Sequence, residues 1–287
     1  MGWRPGSLAV VLGGGGVAGI AWTTGVIAGL ARAGLRLADA DLFVGTSAGA
    51  VAGAQLACGQ DVEALLALQL HPPADSPEQF RPYSQAEADR LNRALFDKVG
   101  GDLGAARRRI GAFALRSATP SLAQRLAIVA ARLPQAAWPA RPLRVSAVNV
   151  HSGERRLFDE ASGCSLVQAV AASCAVPGTW PVVPFGGRQW MDGGIASMTH
   201  ADAAAGHARV VVLSPFGYSE GNPVSGHLRA EVAALCAGGS AVQVIVPDAA
   251  SQAAMGENVL DPARRPASAQ AGLKQGLAIS RSSPWRS

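Results

Sequence analysis

The chain has 287 residues, is 49% hydrophobic and 16% charged, and carries a net charge of +5. That is room for one large α/β domain or two small ones with a sizeable core, and it excludes disordered, collagen-like and low-complexity chains. The charge is almost wholly arginine, in short runs (Arg107-Arg108-Arg109, Arg155-Arg156, Arg264-Arg265) that read as solvated surface or as weak attraction to anionic lipid headgroups. No aromatics are interleaved with them, so no nucleic-acid partner is indicated.

Aromatics make up only 5%, so the core must be built from Ala, Val and Leu. The four cysteines (Cys58, Cys164, Cys174, Cys236) form no C-x-x-C pair and read as free buried thiols of a reducing compartment, with no zinc site. Arg4 before an apolar run imitates a secretory signal, but four consecutive glycines break the helix a signal needs. Met1-Gly2 resembles an acylation start, yet Gly6 stands where Ser or Thr is wanted. Val17 to Leu35 is interrupted by glycines and Arg32, so it is not read as a membrane span. The expectation is a cytoplasmic protein, at most peripheral at a membrane.

In chain order, Ser7 to Leu12 predicts a strand, Gly13 to Gly16 a loop, and the next stretch a helix to Arg32 stopped by Gly34. Leu42 to Val44 lacks polar alternation and predicts a strand buried on both faces, as in a parallel sheet. Helices are predicted after Ser47 to near Gly59 and from Asp61 to Leu70. Residues 71 to 140 predict a helical insertion. It opens with a Pro-rich loop, continues with a capping box at Ser84 to Glu87, and includes a helix over Ser121 to Leu133 with Thr119 as its N-cap. Leu143 to Val150 and Glu154 to Phe158 predict a hairpin, Ser165 to Ser173 a small-residue helix, and Arg188 to Met191 a strand running into Asp192-Gly193-Gly194. Val210 to Leu213 and Val242 to Val246 are further strands, and Asp261 to Arg281 is an amphipathic helix. Strands alternating with helices predict a three-layer α/β/α architecture with an open, mostly parallel sheet, as one domain over 1–287.

Gly45-Thr46-Ser47-Ala48-Gly49 after a buried strand has the nucleophile-elbow pattern: a sharp strand-to-helix turn leaves no room for a Cβ on either side of the serine. The five histidines (His71, His151, His200, His207, His227) read as surface or loop residues. None stands where a triad base is expected. Asp192 follows a strand and precedes two glycines that allow close backbone approach.

Three motifs stand in order: Gly14-Gly15-Gly16-Val17-Ala18-Gly19, Gly45-Thr46-Ser47-Ala48-Gly49 and Asp192-Gly193-Gly194. Together with Ala172 to Pro177 and Trp180-Pro181, they resemble the patatin-like phospholipase family, over nearly the whole chain and most weakly over 71–140. The resemblance implies a serine acyl hydrolase of (phospho)lipid esters with no metal or organic cofactor. Ser47 would be the nucleophile, Asp192 the general base, and the backbone around Gly14, Gly15, Gly16 and Val17 the oxyanion hole. It also implies that burial beside the serine raises the pKa of Asp192. Where the family's glycine loop carries Arg or Lys, this chain has Ala18.

Two other readings compete. Gly14-x-Gly16-x-x-Gly19 fits the dinucleotide fingerprint of an oxidoreductase, but the second strand ends in Gly45-Thr46-Ser47 instead of an acidic residue. A non-catalytic lipid-binding or scaffold protein of the same fold is the other, with Ala18 its support. Which lipid is cleaved, and the oligomeric state, are not written in these motifs.

Overall fold

The computed structural model describes residues 4–282. The Met1-Gly2 start lies outside them. The elements run β1 (Arg4–Leu12), α1 (Gly16–Arg32), β2 (Leu42–Gly45), α2 (Ala48–Ala57), α3 (Val62–Leu70), α4 (Gln85–Lys98), α5 (Leu103–Arg116), α6 (Leu122–Arg132), β3 (Leu143–Asn149), β4 (Arg155–Phe158), α7 (Leu166–Ser173), β5 (Val183–Phe185), β6 (Arg188–Asp192), β7 (His207–Leu213), α8 (Leu228–Ala237), β8 (Ala241–Ile245), α9 (Ala249–Met255) and α10 (Arg265–Ser282).

The strands form one sheet in the order β5-β6-β3-β2-β1-β7-β8, with β4 paired to β3. From β3 to β8 all pairings are parallel; β4, β6 and β5 add antiparallel pairings. Alternate residues of the central strands face two different cores. Val10, Leu12, Phe43 and Val211 pack with α1, α2 and α7, while Ala9, Val11, Val44, Val210 and Val212 pack with Leu228 and Leu235 of α8. Helices on both faces of a largely parallel sheet make the three-layer α/β/α fold, and they explain why β2 has no polar residue.

The tail helix α10 lacks the apolar stripe expected of it: the side it buries is Ser268, Ala269, Gly272, Gln275 and Gly276. A Cβ on Gly25 would lie 2.2 Å from the Ala269 carbonyl oxygen, and one on Gly276 would lie 2.3 Å from that of Val26. The backbones of α1 and α10 therefore touch, and Trp22 Nε1 seals the seam by donating to Gln275 Oε1 at 2.9 Å.

Several local expectations are corrected. The N-cap of α6 is Ser121, whose hydroxyl accepts from the Gln124 N–H; Thr119 lies too early. Strand β5 is unexpected because Pro184 sits inside a three-residue run, a position tolerated on an edge strand. Arg107 is not simply solvated: its Nη2 donates to the carbonyls of Ala196 and Val224, at 3.0 and 3.1 Å. Of the four free thiols, Cys174 is buried, Cys58 and Cys164 are intermediate and Cys236 is exposed. His200 is fully buried instead of lying on a surface loop.

Candidate active site

Strands β1 and β2 are adjacent and parallel, with Leu12 opposite Gly45. The glycine loop and the serine turn therefore leave the sheet side by side at its C-terminal edge, where open α/β sheets bind ligands. Strand β3 runs past the end of β2: Gly45 pairs with Val145, and beyond it, on the same side of β3, Ala147 pairs with Asp192, while β4 takes the other side. Strand β6 comes from the opposite direction and stops there. This brings Asp192 to Ser47 although 144 positions separate them in the sequence (192 − 47 − 1).

Ser47 has φ 52° and ψ −116°, outside the regions most residues occupy. Its neighbours enforce this. A Cβ on Gly45 would sit 2.5 Å from Ala50 Cα, and one on Gly49 would sit 1.8 Å from the Leu12 carbonyl oxygen. The turn is also clamped from α7: the Ser47 N–H donates to Ser173 Oγ at 2.8 Å, and Cys174 Sγ donates to the Ser47 carbonyl at 3.2 Å. The next residue, Ala175, accepts the Asp192 N–H at 3.0 Å. The Ser173–Ala175 segment thus fixes both dyad candidates at once. Ser146 adds a second tie, bonding Thr46 Oγ1 at 2.9 Å and leaving no room for a Cβ on Gly193.

Asp192 is 5% exposed. Its Oδ1 accepts from the Gly194 N–H at 2.7 Å, while Oδ2 is buried with no well-formed hydrogen bond. Burial pushes its pKa up to about 7, against the opposing pull of the Gly194 N–H, the nearby Ser47 hydroxyl and the Arg125 charge. Such a carboxyl is near half ionised at neutral pH and suited to proton transfer. Both residues line a cavity of about 60 Å³ whose other walls include Gly14, Gly15, Gly16, Tyr83, Met198 and Phe216.

The loop's N–H groups divide into two sets. Gly13 donates to Leu213, Gly14 to Met198 and Ala18 to Val259. Among the described residues no acceptor takes the N–H of Gly15, Gly16 or Val17, nor that of Ala48 after the serine. Gly16, with φ +60°, turns the chain into α1 at this point, and the positive end of that helix adds to the donors. The Gly14 N–H, counted as a donor from the sequence, is already engaged.

Among the described residues no histidine hydrogen-bonds Ser47 or Asp192. His200 Nδ1 lies 3.1 Å from Thr46 Oγ1, one residue before Ser47, and burial lowers its pKa to about 3, so it stays neutral. Asp41 accepts the Leu8 N–H at the far end of the sheet, away from any ribose position. Sequence reasoning missed Ser173 and Cys174 as clamps, although they lie in the segment it singled out. It also missed Arg125, which is buried on α6 with Ile128 and Val129.

A family model described as patatin-like phospholipase matches residues 10–205. The chain belongs to that family. It is accordingly a lipid acyl hydrolase, with lipid esters as its substrate class. No curated protein matches the chain in sequence. Two solved structures align with it: VipD from Legionella pneumophila (15% identity, TM-score 0.48, 98% of this chain and 68% of that one) and the type III effector protein ExoU (16%, 0.43, 98% and 54%). The family match stops just before β7, while the loop donors' partners Leu213 and Val259 lie beyond it.

Proposed function

We propose that this family member cleaves lipid esters through a Ser47–Asp192 dyad, with the N–H groups of Gly15, Gly16 and Val17 receiving the oxyanion. The observation that carries the reading is a buried carboxylate with one free oxygen in the same 60 Å³ cavity as a strained serine. Ser47 Oγ attacks the ester carbonyl carbon and passes its proton to Asp192 Oδ2. The carbonyl oxygen takes the negative charge, and the loop donors meet it where it develops. As the tetrahedral adduct collapses, the C–O bond to the alcohol breaks and Asp192 protonates the leaving oxygen. Water then attacks the acyl-serine, its proton goes to Asp192, and Ser47 is restored with release of a fatty acid.

The chain is proposed to act as one unit over 1–287, with 71–140 as a helical insertion. No helix among the described residues is long and apolar enough to cross a membrane. Membrane contact is proposed to be peripheral, with exposed apolar side chains such as Phe80 and Phe113 contributing. Flotation with anionic liposomes tests it: Phe80→Ser with Phe113→Ser weakens binding, and no binding by the unmodified protein removes the idea.

The dyad is tested with a short and a long p-nitrophenyl ester and with fluorophosphonate labelling. Ser47→Ala and Asp192→Asn, both shown folded by circular dichroism, are expected to lose at least about 1000-fold in kcat/KM. Full activity in Asp192→Asn means that another base serves the serine. Absence of label on the unmodified protein favours a non-catalytic lipid-binding member.

A further inference from the structure

Ser47 looks onto two unlike surfaces. On the Asp192 side the walls are largely apolar: Val176, Pro177, Ile195, Met198 and Phe216. On the other side Ser47, Gly16, Trp180 and Arg125 line a neck of about 20 Å³. That neck shares Val17, Ile20, Glu78 and Arg132 with a wider cleft of about 260 Å³.

Arg125 is a buried cation whose guanidinium no carboxylate bonds among the described residues. It is 3% exposed, yet among the described residues it makes no ion pair, and its Nε and Nη1 are buried without a hydrogen-bond partner. Its polar contact is Nη2 to the Cys174 carbonyl at 3.3 Å, and its guanidinium stacks on Trp180 with Cζ 3.9 Å from the ring centroid. Glu78 and Asp192 favour its charged form at a distance, but neither carboxylate hydrogen-bonds it; both Glu78 oxygens bond Arg132, at 2.6 and 2.5 Å. Burial and the nearby Arg132 charge lower the Arg125 pKa to about 10, so the guanidinium is still charged at neutral pH. A buried cation with two idle N–H groups is costly unless an anion completes it. The planar fork of a guanidinium matches a phosphoryl group.

We infer that Arg125 forms an oxyanion subsite that receives the phosphoryl group of a phospholipid beside Ser47, while the acyl chain lies on the Asp192 side. The neck admits roughly one water-sized group, enough for a single phosphoryl oxygen, with the rest of the headgroup in the wider cleft. The glycine loop contributes no charge of its own, so the selective cation comes from the helical insertion. This subsite rests on the Ser47 hydrolase reading above.

The test compares kcat/KM for a 1-acyl lysophospholipid and for the 1-monoacylglycerol with the same acyl chain. In Arg125→Gln the phospholipid-to-glyceride ratio is expected to fall about 10- to 100-fold, and Arg125→Lys, which keeps the charge but not the planar fork, falls less far. An equal fall on both lipids, or no fall, overturns the subsite and leaves Arg125 as a support for Asp192 or for the fold. A second arm does not depend on turnover: calorimetric binding of the deacylated glycerophosphodiester and of inorganic phosphate to Ser47→Ala, with and without Arg125→Gln. Arg125-dependent binding of the diester supports the subsite even if neither lipid is hydrolysed, in which case only the hydrolase reading fails. Binding of inorganic phosphate alone overturns it as a headgroup site.

Discussion

The turns around Ser47 and the helical insertion over 71–140 are held together by different means. At the turns, backbone meets backbone: Gly49 on the Leu12 carbonyl and Gly45 on Ala50 leave no free volume. In the insertion, helices start on side-chain caps (Ser84, Asp102, Ser121), and the Glu78–Arg132 pair ties its first loop to α6. Large apolar side chains such as Leu91, Phe113 and Leu115 stay exposed there. The first region has one workable geometry because peptide groups cannot change shape. The second can be altered side chain by side chain. Reaction chemistry belongs in the first, and substrate choice can drift in the second.

The sharpest break of this contrast is Gly49→Ala. Its methyl group would meet a carbonyl oxygen at 1.8 Å, and the expected outcome is a loss of more than about 4 kcal/mol in urea unfolding, or no folded protein. Near-normal stability would mean that the turn is softer than its contacts imply.

Titration separates the regions next. Asp192 has a raised pKa in the folded state, so its stabilising contribution is complete below the ordinary value of 3.8 and is lost as pH rises through about 7. Asp192→Asn should therefore be more stable than the unmodified protein at pH 8 and closer to it at pH 4. Over the same range kcat/KM of the unmodified enzyme should rise with an apparent pKa of about 7, because the base must be ionised. Glu78 has the opposite sign. Burial raises its pKa, but the Arg132 guanidinium outweighs burial and holds it below the usual value, so its contribution is lost as pH falls. A rate that is flat from pH 5 to 9 would remove Asp192 as the base.

Smaller effects are expected within the insertion. Ser121→Ala should cost about 1 kcal/mol by loss of the α6 cap, measured by thermal unfolding. Gly104→Ala should stay within about 0.5 kcal/mol of the parent. Its gain in helix propensity is offset by crowding against Asp102 Oδ1 at 3.2 Å and the flexible end of Arg108 at 3.1 Å.

The same contrast governs what could be read from the amino acids alone. The layered fold and the strand–turn–helix units were legible because strand and elbow patterns follow short-range rules, and glycines flanking a serine announce their own reason. Asp192 was legible only through its two glycines. Its approach to Ser47 depends on β3 outrunning β2, which no local pattern records. Arg125 was illegible for another reason. Arginine on a helix reads as solvated, and its burial follows from Trp180 and Cys174 arriving from distant segments. The small-residue seam of α10 escaped notice because glycine and alanine carry little hydrophobic signal.

That seam bears on how the frame around Ser47 is held together. The glycine loop and Ser47 lie close to α1 in the sequence. The loop's anchors come much later: Leu213 for Gly13, Val259 for Ala18, and α10 for the exposed backbone of α1. The frame around Ser47 is therefore assembled from segments far apart in the sequence. Loosening the contact between α10 and α1 is therefore expected to reach the glycine loop, which opens α1, as well as the tail itself.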